Sequence, residues 1–352
     1  MQSADGEPQS MTSTYITAES ESALYRSLRD FWHPVCYSAD LGDDKPVGTR
    51  LLDESVVVAR IGGKVSAFRD LCVHRGAALS LGWIESGRLR CAYHGWTYQD
   101  DGRCVEVPAR PDLPIPRGAC LSRYHAVESG GLVWVCLGEP RFEVPRFPQF
   151  ADPEYRVVTG QPYDWKTSAI RRVENFVDMA HFAWVHPGVL GSRDHAEVTD
   201  HDVWRDGRYL RFEHTVKEPN NGEIKEQLGI TDDIFDVRNV YHLSMPLAIH
   251  LERCFPNEAR YVVFMVSSPV SQKEARSFWF IARNYAADPE HDEGFLDFEN
   301  LVLSQDKPIV ESLRPEEIPM DLTKEMYVRV ADAITVEYRR WLLELSRSHA
   351  DS

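Results

Sequence analysis

From Phe31 to about Gly138, short β-branched and aromatic runs alternate with turn residues. Residues 51–52, 56–61, 65–68 and 132–137 have the composition of strands. Gly62-Gly63, Ser86-Gly87, Asp101-Gly102 and Gly130-Gly131 supply turns between them. The pattern predicts a small all-β domain, entered by a short helix over 22–30. Prolines and aromatics then crowd 140–162, as in an interdomain connection. Beyond it, extended segments are predicted at 203–217, 237–251, 261–270 and 277–284. There, alternation such as Val262, Phe264 and Val266 fits an antiparallel sheet. Helices are predicted at 295–305 and at 331–346, the latter amphipathic through Ile334, Tyr338, Trp341, Leu342 and Leu345. The class is α+β, divided into a disordered tail (1–22), a β domain (23–145) and a second domain (146–352). The first helix is free to pack on the second domain.

One segment departs from plain amphipathicity. In Glu174-Asn175-Phe176-Val177-Asp178-Met179-Ala180-His181, the residues Asn175, Asp178 and His181 recur at every third position. On a helix they share an arc of roughly 120°. His186, five residues further on, lies about 140° around, so one metal reaches both imidazoles only if the helix distorts or ends before it. Pro187 favours an ending, because the residue before proline avoids the α region. A metal site and a buried polar seam both fit these residues.

Composition narrows the classes. The net charge of −16 opposes general nucleic-acid binding and adhesion to anionic membranes. No apolar run approaches the roughly 18 residues needed to span a bilayer. Residues 1–22 are Ser-, Thr- and acid-rich, unlike a signal peptide, which points to a cytoplasmic protein. Seven cysteines without framework spacing point to free thiols. Cys36, Cys104, Cys120, Cys136 and Cys254 have no ligand-type neighbours and are expected in the core.

Cys72 and Cys91 differ. Cys72-Val73-His74 and, 16 residues later, Cys91-Ala92-Tyr93-His94-Gly95-Trp96 each offer one thiolate and one imidazole. A zinc ribbon uses the same four residue types. The order C-x-H and C-x₂-H suits instead a Rieske-type [2Fe–2S] cluster, in which two thiolates hold one iron and two imidazoles the other.

With these motifs in place, the chain resembles the oxygenase components of Rieske non-haem iron oxygenases over roughly 25–345. Among them it is similar to bacterial methylxanthine (caffeine-type) N-demethylases. The resemblance rests on Phe31-Trp32-His33-Pro34-Val35-Cys36, Tyr93-His94-Gly95-Trp96, Glu174-Asn175-Phe176 with Asp178, His186-Pro187-Gly188, and Asp306-Lys307-Pro308 with Glu311-Ser312. It implies a helix-grip (START-like) catalytic domain after the Rieske domain. It also implies that His181 and His186 hold a mononuclear Fe(II) together with a later acid, with positions open for O₂. Asp306 matches that acid, whereas Asp297 and Glu299 lie one to two turns earlier. Asp178 would join His181 to His94 of a neighbouring subunit, which implies a cyclic trimer, as a homotrimer or a trimer-based hetero-oligomer, and Asn175 would stand beside the ligands.

No Gly-x-Gly-x-x-Gly follows a strand, so electrons from NAD(P)H must arrive through a separate reductase or ferredoxin. Between Arg60 and Arg123 there are ten basic residues (nine arginines and Lys64) and six acidic, a balance of +4 that could steer an acidic donor. The resemblance implies hydroxylation of a small heteroaromatic or alkaloid-like substrate, foremost N-demethylation with release of formaldehyde. O-demethylation, C–H hydroxylation and cis-dihydroxylation are rivals within the family. A non-enzymatic electron carrier and a zinc-bound interaction protein are rivals outside it. Leu303 and Glu299 stand three and seven residues before Asp306 and so share its helical face. A buried Glu299 carboxylate would favour a substrate with a ring N–H or an amine.

Overall fold

The computed structural model describes residues 18–220 and 228–350. Residues 1–17, most of the expected tail, lie outside the described residues. The first helix, α1 (Ala18–Ser27), starts before residue 22, so the end of the expected disordered tail is helical.

The N-terminal part holds two antiparallel sheets. Its strands are β1 (His33–Tyr37), β2 (Val47–Leu51), β3 (Glu54–Ile61), β4 (Lys64–Arg69), β5 (Trp83–Glu85), β6 (Arg88–Arg90), β7 (Thr97–Tyr98), β8 (Cys104–Glu106), β9 (Arg123–Ser129) and β10 (Leu132–Cys136). Six form a sheet in the order β1-β10-β9-β4-β3-β2, and β5 to β8 form a small four-stranded one. Cys36, Cys104, Cys136 and Cys254 are buried as expected, but Cys120 is exposed.

An eight-stranded sheet dominates the second part. It comprises β11 (Arg156–Thr159), β12 (Tyr163–Trp165), β13 (Val203–Asp206), β14 (Tyr209–Pro219), β15 (Ile234–Ser244), β16 (Ala248–Cys254), β17 (Arg260–Ser271) and β18 (Glu274–Arg283). The order is β11-β18-β17-β16-β15-β14-β13, and β12 also pairs with β18. Two segments expected as single strands, 203–217 and 237–251, are hairpins. The 140–162 connection already contributes β11 to this sheet.

Alternation along β17 gives the sheet two buried faces. Val262, Phe264 and Val266 pack with Tyr37, Leu132 and Trp134 of the N-terminal domain. Tyr261, Val263 and Met265 face the other way. On that second face one register row carries His214, Asn239, Arg253, Tyr261 and Arg283 across five strands. Helix α4 (Asp292–Val310) covers it, since Tyr261 donates to Glu299 at 2.8 Å and Arg283 to Asp292 at 2.6 Å. Helix α5 (Ala333–Ala350) packs against α1, so the N-terminal helix sits on the catalytic domain. Among the described residues no helix is long and apolar enough to cross a membrane.

Candidate metal centres

The Cys/His motifs lie on two loops of matching design. The Cys72 N–H donates to the Ala77 carbonyl and the Gly76 N–H to the Cys72 carbonyl; Cys91, Trp96 and Gly95 repeat both bonds. In each loop the turn closes on a glycine four residues after the cysteine, at φ +73° and +71°, where a side chain is strained. The loops bring the His74 and His94 rings to 4.5 Å, and His74 stacks on Trp96 at 4.7 Å. Both cysteines are buried, whereas His94 is exposed. His74 Nδ1 is buried without a partner among the described residues, as a nitrogen reserved for a metal would be. Two buried thiols and two imidazoles presented this way fit a [2Fe–2S] cluster. The Tyr98 hydroxyl lies 3.1 Å from Cys72 Sγ and is the donor of that bond when Cys72 is a cluster-bound thiolate.

The expected helix through Asn175 to His186 is interrupted. Helix α2 (Ala169–Val177) starts on Ser168, whose Oγ accepts from the Arg171 N–H at 3.2 Å, and stops at Asp178, which is extended. Asp178 Oδ1 accepts from the Ala180 N–H at 2.8 Å, a local bond that competes with continuing the helix. A short helix, α3 (Phe182–Val185), follows. His181 precedes it and His186 ends it, so the two imidazoles belong to one turn rather than to the Asn175 seam. Gly191 then brings the loop back onto α3, where a Cβ would lie 2.8 Å from the Ala183 nitrogen.

This break lets both rings meet Asp306 of α4. His186 Nε2 is 3.1 Å and His181 Nε2 3.5 Å from Asp306 Oδ1, and each of the three residues offers a ligand atom within 4.8 Å of the others. Each Nδ1 is held on its far side. His181 Nδ1 lies 3.3 Å from Asp178 Oδ2, and His186 Nδ1 lies 2.8 Å from Gln305 Oε1. Gln305 went unnoticed in the sequence, where nothing marks it beyond its place before Asp306. Asn175 Nδ2 donates to Asp306 at 3.4 Å, and Asn175 Oδ1 accepts from Arg172 at 2.6 Å. Burial works to raise the Asp306 pKa, but hydrogen bonds from His181 and His186 and the Arg172 charge hold it well below the carboxylate range. Burial likewise works to lower that of His181, but Asp178 and Asp306 carry it up to about 9. Two imidazoles and one carboxylate, fixed from behind, fit a facial iron site.

A cavity opens beside this cluster. It is partly open to solvent, and His181, His186 and Asp306 all line it. Phe182, Leu190, Val263 and Leu303 give it apolar walls, and Glu299 lines it as well. Burial pushes the Glu299 pKa up despite the bond from Tyr261. Asp297 is exposed and stands outside the metal-ligand cluster.

Fold and donor sets together define a two-centre iron protein, and the comparisons agree. Residues 31–117 match the Rieske [2Fe-2S] domain and residues 165–348 the vanillate O-demethylase oxygenase C-terminal domain; the chain belongs to this family of Rieske non-haem iron oxygenases. It is an oxidoreductase whose cofactors are a [2Fe–2S] cluster and mononuclear iron, used with O₂ and reductase-derived electrons. It is 38% identical over 333 residues to methylxanthine N1-demethylase NdmA of Pseudomonas putida, covering 92% of this chain and 91% of the relative. It is 36% identical to methylxanthine N3-demethylase NdmB of the same organism, covering 91% and 90%. The solved structure of NdmA with caffeine superposes with a TM-score of 0.84 at 37% identity, covering 94% of each chain.

Proposed function

We propose that this chain is the oxygenase of an oxidative N-demethylase acting on a small, flat N-methyl heteroaromatic compound. The observation that carries the reading is the cavity itself: apolar walls lead to the His181, His186 and Asp306 donor set, with a half-buried carboxylate, Glu299, on the same wall. The identity to the two N-demethylases supports it. In this reading His181, His186 and Asp306 hold the iron, and Cys72, His74, Cys91 and His94 the cluster. Bound there, iron would supply O₂ activation and the cluster the electrons, with the second oxygen atom leaving as water after taking up protons. Phe182, Leu190 and Leu303 hold the ring and exclude water, leaving an N-methyl carbon nearest the donor set. Insertion of one oxygen atom into its C–H bond gives N–CH₂OH, which breaks at C–N to release formaldehyde and leave N–H.

Asp178 is the link between centres in the assembled enzyme. One third of its side chain is exposed beside His181, and His94 is exposed on its loop, as groups that meet across an interface must be before assembly. A homotrimer follows from this reading. The four arginines Arg75, Arg88, Arg117 and Arg123 are exposed and in no ion pair among the described residues, a set of free cations that suits an acidic reductase or ferredoxin.

The test is aerobic turnover with a surrogate reductase and NADH over matched N-methyl and O-methyl heteroaromatics. Formaldehyde from the N-methyl set is expected. A cis-diol, or formaldehyde from O-methyl compounds alone, refutes the reading. Light scattering of the purified holoenzyme at a mass other than three chains refutes the trimer.

A further inference from the structure

Two residues of the cavity wall, one of them stacked on Phe212 through its ring, keep polar atoms that neither the metal ligands nor the rest of the fold pairs. Asn239 and Tyr241 stand two residues apart on β15, hence on one face of the sheet, and both line the cavity beside His186. They are 1% and 0% exposed, yet Asn239 Oδ1 and the Tyr241 hydroxyl have no hydrogen-bond partner among the described residues. In the register row of Asn239, His214 Nε2 is also buried without a partner among the described residues, but it does not line this cavity. Arg253 pairs with Glu218, Tyr261 donates to Glu299, and Arg283 pairs with Asp292. Glu299, on the same cavity, is engaged among the described residues only through Oε1. Buried polar atoms are normally paired, so a cavity beside the donor set that keeps such atoms is shaped for a ligand that pairs them.

The ligand chemistry follows from the atoms. A side-chain amide presents a donor and an acceptor in one plane, matching the H–N–C=O edge of a ring. A carboxylate only accepts, and a phenol does either. We infer that Asn239, Tyr241 and Glu299 form the recognition side of the cavity. They read a flat N-methyl heterocycle by a ring N–H that it retains and by the carbonyl beside it. The enzyme therefore prefers a partly methylated ring to its fully N-methylated counterpart. This rests on the N-demethylase reading for the presence of an N-methyl group, and on the cavity alone for the N–H.

Theobromine and caffeine differ only in one ring N–H, flanked by carbonyls, against N–CH₃, and make the probe pair. Isothermal titration of each into the reduced holoenzyme under nitrogen gives binding free of turnover, and a parallel aerobic reaction reports formaldehyde. Theobromine is expected to bind at least about tenfold tighter, the scale of one hydrogen bond to a charged or buried partner. Tyr241→Phe and Asn239→Leu should each bring the ratio toward one, mainly by weakening theobromine, with the visible spectrum of the cluster unchanged. Equal binding of the two compounds, or a preference that both variants keep, overturns the inference even if formaldehyde appears. N–H-dependent binding without formaldehyde from either compound supports the recognition and refutes the demethylase reading instead. Binding of neither overturns the inference.

Discussion

His186 and Gln305 meet across 119 positions of sequence, with Nδ1–H of the ring donating to Oε1 of the amide at 2.8 Å. The bond holds a proton on Nδ1 and leaves Nε2, 3.1 Å from Asp306 Oδ1, as the nitrogen that would take a metal. Gln305→Leu should therefore lower retained mononuclear iron or turnover by roughly 10–100-fold, the usual effect of losing a group that orients a metal-binding histidine. Iron assay by inductively coupled plasma, against an unchanged cluster absorbance, checks it.

Asp178→Asn keeps the Ala180 cap within reach of the remaining oxygen, so the fold of the 178–186 turn should survive. Its effect should fall on electron delivery. In a single-turnover experiment the reduced cluster is expected to persist at least about tenfold longer than in the wild type, in line with the loss of an orienting carboxylate. Unchanged reoxidation would remove Asp178 from the path.

Tyr98 donates to Cys72 Sγ, a bond that favours the more negative, reduced cluster. Tyr98→Phe should lower the reduction potential. A hydrogen bond of about 1 kcal/mol corresponds to roughly 40 mV for one electron. Potentiometric titration followed by EPR reads the shift directly.

Glu174, next to Asn175, lies in a buried charge network. Its Oε1 accepts from Arg339 Nε at 2.7 Å, its Oε2 from Arg171 at 3.0 Å, and Glu325 bonds both arginines at 2.6 Å. Arg339→Met leaves the Glu174 carboxylate buried with less compensation, a change that costs about 3–5 kcal/mol when a buried pair is broken. The unfolding midpoint in urea should drop, and Glu174→Gln added to Arg339→Met should restore part of it.

His33 and His214 are buried, and burial depresses their pKa values from 6.5 to about 4 and about 3. Both rings are neutral in the folded chain. Between about pH 6.5 and 4 the unfolded chain binds more protons, so stability falls as pH falls, by up to about 1.4 kcal/mol per pH unit for each ring. The melting temperature should decline through this window, and less steeply in a His33→Gln variant.

The sequence made the metal-bearing residues legible because their chemistry is local: a cysteine, a histidine and a turn glycine within six positions, twice over. Asp306 was reachable through the resemblance, and the helical face shared with Leu303 and Glu299 followed from periodicity. The break at Asp178 was not legible. Three-residue spacing continued through it, and a single side-chain cap outweighed the pattern. Gln305, Asn239 and Tyr241 were hidden for a different reason. Their roles depend on helix docking and strand register, and no short window carries either. Cys120 is exposed although its neighbours gave it no ligand or surface signature.

The Glu174–Arg339 contact spans 165 positions. During synthesis the candidate ligands His181 and His186 leave the ribosome long before the arginine that anchors the helix leading to them. The turn that carries them is held from behind only once α5 has been made, so substitutions in that helix are expected to act on the site from a distance.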